Sequence, residues 1–141
     1  MFKVENDIFR WLVRAVPEAH WQRIENAGSL GPGVPDVNCC HRGTETWIEL
    51  KTAHGLRLHP SQSVWMRRRV AHGGRVRLLI GWRNGDLCTV RPPAACDAAI
   101  VKSILAKYRG CKGYCTTDHV TFWPRDYLVK FPERLAEGLL S

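Results

Sequence analysis

The chain has 141 residues and a mass of 16.1 kDa, which suits one domain and leaves no room for a second independent core. Hydrophobic residues make up 45% and charged residues 24% of the sequence, so a wholly disordered chain is excluded. No apolar run approaches the length of a transmembrane helix, and charged residues interrupt the N-terminal apolar positions. We therefore expect a cytoplasmic protein without a secretory signal.

The net charge is +8, from 21 Lys and Arg residues against 13 Asp and Glu residues. An excess of this size favours a polyanionic partner, which is either a nucleic acid or an anionic membrane surface. Membrane-surface proteins of this kind carry a long basic amphipathic helix, and the sequence has none. The charge therefore favours a nucleic acid and no membrane.

The first half of the chain predicts one helix and one hairpin. Apolar residues at helical spacing predict a helix over residues 3–16, which Pro17 ends. Clustered glycines and prolines predict a loop over residues 27–35. Two strands follow, over residues 36–40 and 44–50, and they are joined through residues 41–43.

The second half predicts the remaining elements of a mixed α/β domain. A second helix begins at Pro60 and ends before the glycines at 73 and 74. Residues 76–82 alternate between apolar residues and arginine, which predicts a strand with one apolar face. Asn84 and Gly85 predict a hairpin turn that leads into a strand over residues 87–90. The last predicted elements are a helix over 94–108, a strand over 119–123 and a helix over 133–140.

The first hairpin carries two carboxylates that the predicted pairing brings together. If Arg42 and Gly43 form a two-residue turn, Asp36 lies directly opposite Glu49, with Cβ atoms roughly 4.5–5.5 Å apart. Lys51 leaves the same face of the strand as Glu49. Two carboxylates this close repel each other unless a cation lies between them, which predicts a divalent-metal site. A register shift of one residue would separate them and leave ordinary surface charges.

A basic segment follows the carboxylate pair. Residues 50–85 contain no acidic residue and eight basic ones: Lys51, Arg57, Arg67, Arg68, Arg69, Arg75, Arg77 and Arg83. Positive side chains beside a metal-binding carboxylate pair are typical of an enzyme that hydrolyses phosphodiester bonds.

Together these motifs resemble the PD-(D/E)XK nuclease superfamily. The resemblance rests on GVPD at 33–36, IELK at 48–51, a Leu-x-Pro-x-Gln pattern at 58–62 and the glycines before Val76. More narrowly, the chain resembles the stand-alone VRR-NUC nucleases of phages and bacteria, which are relatives of Holliday-junction resolvases. The implied fold is an α/β nuclease fold of the restriction-endonuclease type, with a mixed sheet flanked by helices. The motif-bearing core spans about 3–90 of a single domain, and residues 91–141 are interpreted as a C-terminal extension.

The resemblance implies a role for each motif residue. Asp36 and Glu49 would bind Mg²⁺ or Mn²⁺, together with the backbone carbonyl of Leu50. Lys51 would orient or activate the attacking water, and Gln62 would support the site or contact the scissile phosphate. A further glutamate from the first helix often joins such a site; Glu5 is the first candidate, with Glu18 and Glu25 as alternatives.

The implied activity is a metal-dependent DNA endonuclease that is selective for branched DNA, a Holliday junction or a flap. Cleavage of both strands of a junction needs two active sites, so we expect a homodimer. The alternatives are a nicking or restriction-type endonuclease of the same fold, or a non-catalytic DNA-binding module. The expected phosphate-binding side chains are Arg57, Arg67, Arg68, Arg69, Arg75 and Arg77.

Six cysteines are present. In a chain that is long enough to fold without disulfides, we expect reduced and mostly buried thiols. The alternative is a structural zinc site. Its candidate ligands are Cys111, Cys115 and His119, together with Cys39, Cys40 or His41.

Overall fold

The computed structural model describes residues 1–25 and 31–141. Residues 26–30 lie outside the described residues, and they include positions 27–30 of the predicted loop at 27–35. The helices are α1 (Glu5–Ala15), α2 (Pro60–Ala71), α3 (Ala98–Tyr108), α4 (Arg125–Lys130) and α5 (Glu133–Leu140). The strands are β1 (His20–Arg23), β2 (Val37–His41), β3 (Thr44–Thr52), β4 (Val76–Gly81), β5 (Leu87–Val90), β6 (Cys115–Thr116) and β7 (Val120–Trp123).

These strands form one seven-stranded sheet in the order β1-β2-β3-β4-β5-β7-β6. All neighbouring strands are antiparallel except β3 and β4, which are parallel and are connected through α2. The predicted mixed α/β architecture is therefore confirmed. None of the helices in the described part of the chain is both long enough and apolar enough to cross a membrane.

The turn between β2 and β3 sets the register of the first hairpin. Arg42 has φ 49° and Gly43 has φ 78°, and two consecutive positive φ values are typical of a two-residue type I′ turn. The pairing runs from His41 opposite Thr44 to Val37 opposite Ile48. The predicted turn and register are confirmed, and one further step along this pairing brings Asp36 opposite Glu49.

Two apolar clusters cover the two faces of the sheet. The first contains Ile8 and Leu12 of α1 and Leu128 of α4, packed with Ile48 and Leu50 of β3. The second contains Met66 of α2 and Ile104 of α3, and Trp47 of β3 packs against it. Since side chains alternate along a strand, Glu49 and Lys51 lie on the same face as Trp47, under α2.

The prediction that β4 has one apolar face is wrong, because every residue of this strand is buried. Val76, Leu78 and Ile80 belong to the cluster under α2 and α3, so Arg77 points to the opposite face, where it is only 7% exposed. A central strand that carries helices on both faces has no wet side. The alternation of apolar residues with arginine in β4 therefore does not indicate a solvent-exposed face.

The predicted helix over 94–108 is interrupted. Residues Ala94–Cys96 form a short 3₁₀ turn, and α3 starts after Asp97, whose carboxylate accepts hydrogen bonds from the N–H groups of Ala99 and Ile100 at 2.9 and 3.2 Å. An aspartate that can satisfy the free N–H groups of a first turn favours a new helix start at that point. β1, β6 and α4 were not predicted, since elements of two to six residues are too short to show a clear periodicity.

The last third of the chain builds the core. Trp123, Leu135 and Leu139 lie in the same cluster as Ile48 of the first hairpin. Helix α5 approaches the sheet closely because residue 138 is glycine: a Cβ atom there would lie 2.5 Å from Trp123 Cζ2. The segment that was interpreted as an extension is thus packed into the same apolar interior as the motif-bearing residues.

Candidate active site

The centre of the site is the carboxylate pair at the end of the β2–β3 hairpin. The Glu49 side chain is buried, with 4% of its surface exposed, whereas the Asp36 side chain is 30% exposed. The backbone N–H of Leu50 donates a hydrogen bond to Asp36 Oδ2 at 3.0 Å. This bond replaces the main-chain pairing that stops at Val37, and it fixes the Asp36 carboxylate against β3.

A glycine places the loop before Asp36 against helix α2. Gly33 has φ +84°, and a Cβ atom there would lie 2.1 Å from the carbonyl oxygen of Ser61 and 2.9 Å from the backbone nitrogen of Gln62. Only a residue without a side chain permits this approach and this φ. The GVPD motif therefore contacts the first turn of α2, so its aspartate lies close to Gln62.

Gln62 joins the helix start to the carboxylate pair. Its Nε2 donates to Glu49 Oε2 at 3.0 Å, and its Oε1 accepts a hydrogen bond from the backbone N–H of His59 at 2.9 Å. Both ends of the amide are thus held, one by the start of α2 and one by the carboxylate. Gln62 is suited to holding Glu49 in one orientation.

Lys51 lies beside the same carboxylate. Its Nζ is 3.7 Å from Glu49 Oε2, and 12% of the side chain is exposed. An ammonium group this close to the Glu49 carboxylate and still reachable from solvent can contact a phosphate that docks at the site. The structure thus brings Asp36, Glu49, Leu50, Lys51 and Gln62 together.

Arg23 is a site residue that the sequence analysis missed. Its Nη1 is 3.6 Å from Asp36 Oδ1 and donates to the Asp36 backbone carbonyl at 3.2 Å. The Arg23 side chain is 28% exposed, so it adds a second positive group at the open edge of the pair. It lies on β1, a strand of four residues that nothing in the apolar pattern predicted, and no motif marked it.

Burial and the neighbouring Asp36 carboxylate raise the pKa of Glu49 from 4.5 to about 9, against a smaller lowering effect of Lys51. Without another cation, Glu49 would therefore hold a proton at neutral pH. A divalent cation beside the two carboxylates would favour the ionised form.

The donor atoms fit a hard divalent cation. Both carboxylates offer oxygen, and in a strand the N–H and C=O of one residue point to the same edge, so the Leu50 carbonyl faces the side on which its N–H binds Asp36. Oxygen-only ligands suit Mg²⁺ or Mn²⁺. Asp36, Glu49 and the Leu50 carbonyl could hold such an ion.

The described residues place no third acidic ligand beside the pair. Within residues 1–25 and 31–141, no three His, Cys, Asp or Glu side chains group together as metal ligands. Glu5 is half-buried in the first turn of α1, and Glu18 and Glu25 are exposed. Which of these glutamates contributes to the site stays a prediction.

The six candidate phosphate-binding arginines separate into two groups. Arg57, Arg67, Arg68 and Arg69 are exposed in or before α2, on the face of the carboxylate pair. Arg77 is buried on the other face of the sheet, and Arg75 donates to the backbone carbonyl of the C-terminal residue Ser141. The expectation that Arg77 lies on a surface is wrong, because helices cover both sides of β4.

The described cysteines all carry free thiols: Cys39, Cys40, Cys88, Cys96, Cys111 and Cys115. Burial raises the pKa of Cys39 and of Cys88 to about 12, so both thiols stay protonated and are poor metal ligands at neutral pH. The candidate zinc ligands do not form a group in the described part of the chain.

Comparison with known proteins gives a likeness in structure only. No protein-family model matches the sequence, and no curated protein is similar to it in sequence. The fold is similar to that of Hjc from Archaeoglobus fulgidus, a Holliday junction resolvase from an archaeal hyperthermophile solved at 1.6 Å resolution. The TM-score is 0.50 at 13% sequence identity, and the alignment covers 87% of each chain. The predicted nuclease-like fold, a mixed sheet flanked by helices, is thereby confirmed.

Proposed function

We propose that this protein is a metal-dependent nuclease that hydrolyses phosphodiester bonds in DNA. The observation that carries the proposal is the buried Glu49 carboxylate next to Asp36, with Lys51 3.7 Å away and Gln62 3.0 Å away. A buried carboxylate beside a second carboxylate costs folding free energy, so a binding module without catalysis would gain nothing from keeping Glu49. The fold, which resembles that of a Holliday junction resolvase, supports the same proposal.

Each residue has a chemical role in this reaction. The chemistry that a bound Mg²⁺ or Mn²⁺ supplies is charge neutralisation at the phosphate and a lower pKa for a coordinated water. Asp36 and Glu49 would hold the ion, and Gln62 keeps the Glu49 carboxylate in one orientation. Lys51 stabilises the negative charge that develops on the phosphoryl oxygens and orients the attacking water. Arg23 positions the phosphate from the exposed side.

Exposed arginines on the same face bind the DNA backbone. Arg57, Arg67 and Arg68 lie near the site without an ion-pair partner among the described residues. Phosphate contacts carry no base identity, so binding is independent of sequence and weakens with salt, at a log–log slope near −0.9 per phosphate contacted in duplex DNA.

The substrate that we propose is branched DNA, either a junction or a flap, and the assembly is a homodimer acting inside a cell. The fold likeness to a protein that resolves Holliday junctions favours this substrate over the alternatives of a nicking or restriction-type endonuclease. The finer resemblance to VRR-NUC nucleases, and with it a phage origin, stays a prediction from the motifs.

Incubation with DNA tests the proposed activity. Supercoiled plasmid, a linear duplex, a flap and a four-way junction are each incubated with Mg²⁺, with Mn²⁺ and with EDTA. We expect cleavage of the branched substrates with either ion and none in EDTA, because the site offers oxygen ligands, which suit a hard divalent cation. Absence of cleavage of all four substrates with both ions would contradict the proposal.

Charge reversal tests which face binds DNA. The double variant Arg57→Glu and Arg68→Glu should weaken binding to all DNA sequences equally and reduce the salt slope, because it removes phosphate contacts near the site. The matched control is Lys107→Glu and Lys112→Glu, which makes the same change of charge at or after α3. Anisotropy titrations at several salt concentrations compare the two. If the control variant lost more affinity than the Arg57/Arg68 variant, the proposed DNA-binding face would be wrong.

A further inference from the structure

An open groove lies along the exposed side of α2. Its volume is about 740 Å³, which is large enough for one or two nucleotides by comparison with ordinary ligand sites. The side chains that line it and matter here are Pro32, Val64, Trp65, Arg68, Arg69 and His72. The groove therefore combines an aromatic and apolar surface with two arginines and a histidine.

An aromatic pair holds one of these cations in place. The guanidinium carbon of Arg69 lies 4.5 Å from the centre of the Trp65 ring and 5.5 Å from that of Trp47. The two indole rings meet edge to face, with centroids 5.4 Å apart. A guanidinium that lies against a ring keeps its N–H donors available in its own plane. Arg69 is thus held beside the half-buried Trp65 while its donors can still reach a phosphate.

The composition of the groove favours an unpaired strand over a duplex. Of the described residues that line the groove, none is acidic, so its charge complements that of a nucleic acid. A duplex presents phosphates, sugars and base edges but no open base face, because its bases are stacked on one another, so Trp65 would have no base to stack on. Single-stranded DNA presents both a phosphate for arginine and an open base face for an aromatic ring.

Residues that line the groove adjoin the site. Trp65 meets Trp47, which lies two positions from Glu49 on the same face of β3. Ser61 of the groove directly precedes Gln62, which donates to Glu49. We propose that the groove binds an unpaired DNA strand beside the scissile phosphate, with a base against Trp65 and phosphates at Arg68 and Arg69. This inference rests on the proposed nuclease function and deepens it, because it names DNA with a single-stranded segment next to the cleavage point as the substrate class.

Binding in EDTA tests the groove independently of cleavage. A fluorescein-labelled 12-nucleotide oligo-dT and a 12-base-pair duplex are titrated with the wild type, Trp65→Ala, Trp65→Phe and Arg69→Gln. The controls are Tyr114→Ala and Arg109→Gln, which change an exposed aromatic residue and an exposed arginine elsewhere. We expect Trp65→Ala to bind oligo-dT about tenfold or more weakly and the duplex almost normally, and Trp65→Phe to retain most of the affinity.

Two outcomes would contradict the proposal that the groove binds an unpaired strand. One is that Trp65→Ala binds oligo-dT as well as the wild type does, and the other is an equal loss for both DNAs. If Trp65→Ala does not fold, Arg69→Gln decides: it must lose more affinity for oligo-dT than Arg109→Gln does, and equal losses reject the inference. If the wild type cleaves duplex DNA but does not bind oligo-dT, the proposed single-strand binding in the groove is wrong and the proposed nuclease activity stands. If oligo-dT binds through Trp65 but no DNA is cleaved, only the proposed nuclease activity is wrong.

Discussion

Substitution of the central residues should abolish cleavage. We expect Asp36→Asn, Glu49→Gln and Lys51→Met each to lower the cleavage rate at least about a hundredfold, since each removes a proposed metal ligand or the positive group proposed to act at the phosphate. Binding to DNA in EDTA should change little, because the exposed arginines provide most of the phosphate contacts. Single-turnover cleavage of a branched substrate in Mg²⁺ measures the effect.

Matched controls separate chemistry from stability. Glu45→Gln makes the same change as Glu49→Gln on the same strand, where Glu45 accepts a hydrogen bond from Asn38 at 2.8 Å in an exposed position. Lys102→Met makes the change of Lys51→Met on the exposed side of α3. Both controls should cleave as the wild type does. A folded Glu49→Gln variant with near-normal turnover would rule out the proposed site.

The second large effect is on the stability of the metal-free protein. Burial and Asp36 raise the pKa of Glu49 from 4.5 to about 9, so the folded state keeps a proton that the unfolded chain releases above its ordinary pKa. Folded stability from this group is therefore present below about pH 4.5 and is lost as the pH rises towards 9. Each pH unit between these values costs about 1.4 kcal/mol, which amounts to about 3 kcal/mol at neutral pH.

The variant Glu49→Gln should not lose folding stability as the pH rises through this range, because glutamine does not ionise. We expect the variant in EDTA to be more stable than the wild type by about 2–3 kcal/mol at pH 7, with the difference growing as the pH rises. Urea unfolding at pH 5, 7 and 8 measures it, and Glu45→Gln is again the control. Parallel pH profiles for Glu49→Gln and the wild type would show that Glu49 is ionised without a cation. Added Mg²⁺ should stabilise the wild type and have less effect on the variant.

The local parts of the site could be predicted from the sequence. Glu49 lies on β3 and Asp36 directly precedes β2, and a two-residue turn joins these strands, so the turn at Arg42 and Gly43 alone determines which residues face each other. Lys51 follows from the alternation of side chains along one strand. The start of α2 at Pro60 could also be predicted from local sequence. A proline in the first turn of a helix is tolerated, because the N–H that it lacks would have no partner within the helix.

Contacts between distant segments decided the rest. Arg23 reaches Asp36 only because β1 pairs with β2, and a four-residue edge strand carries no periodic signal of its own. Arg77 looked exposed because it alternates with apolar residues, but helices of the N- and C-terminal segments cover that face of β4, and no local pattern records this. In the same way, Gly33 shows its role only in its contact with Ser61.

The sequence by itself therefore determined the hairpin, its register, the carboxylate pair and the basic character of the chain, because these depend on residues a few positions apart and on composition. The tertiary structure alone decided which arginines reach solvent, that Gln62 holds Glu49, and that Trp47, Trp65 and Arg69 meet beside a groove. These features depend on how the helices pack on the two faces of the sheet, and such packing is set by the whole core and not by any one segment.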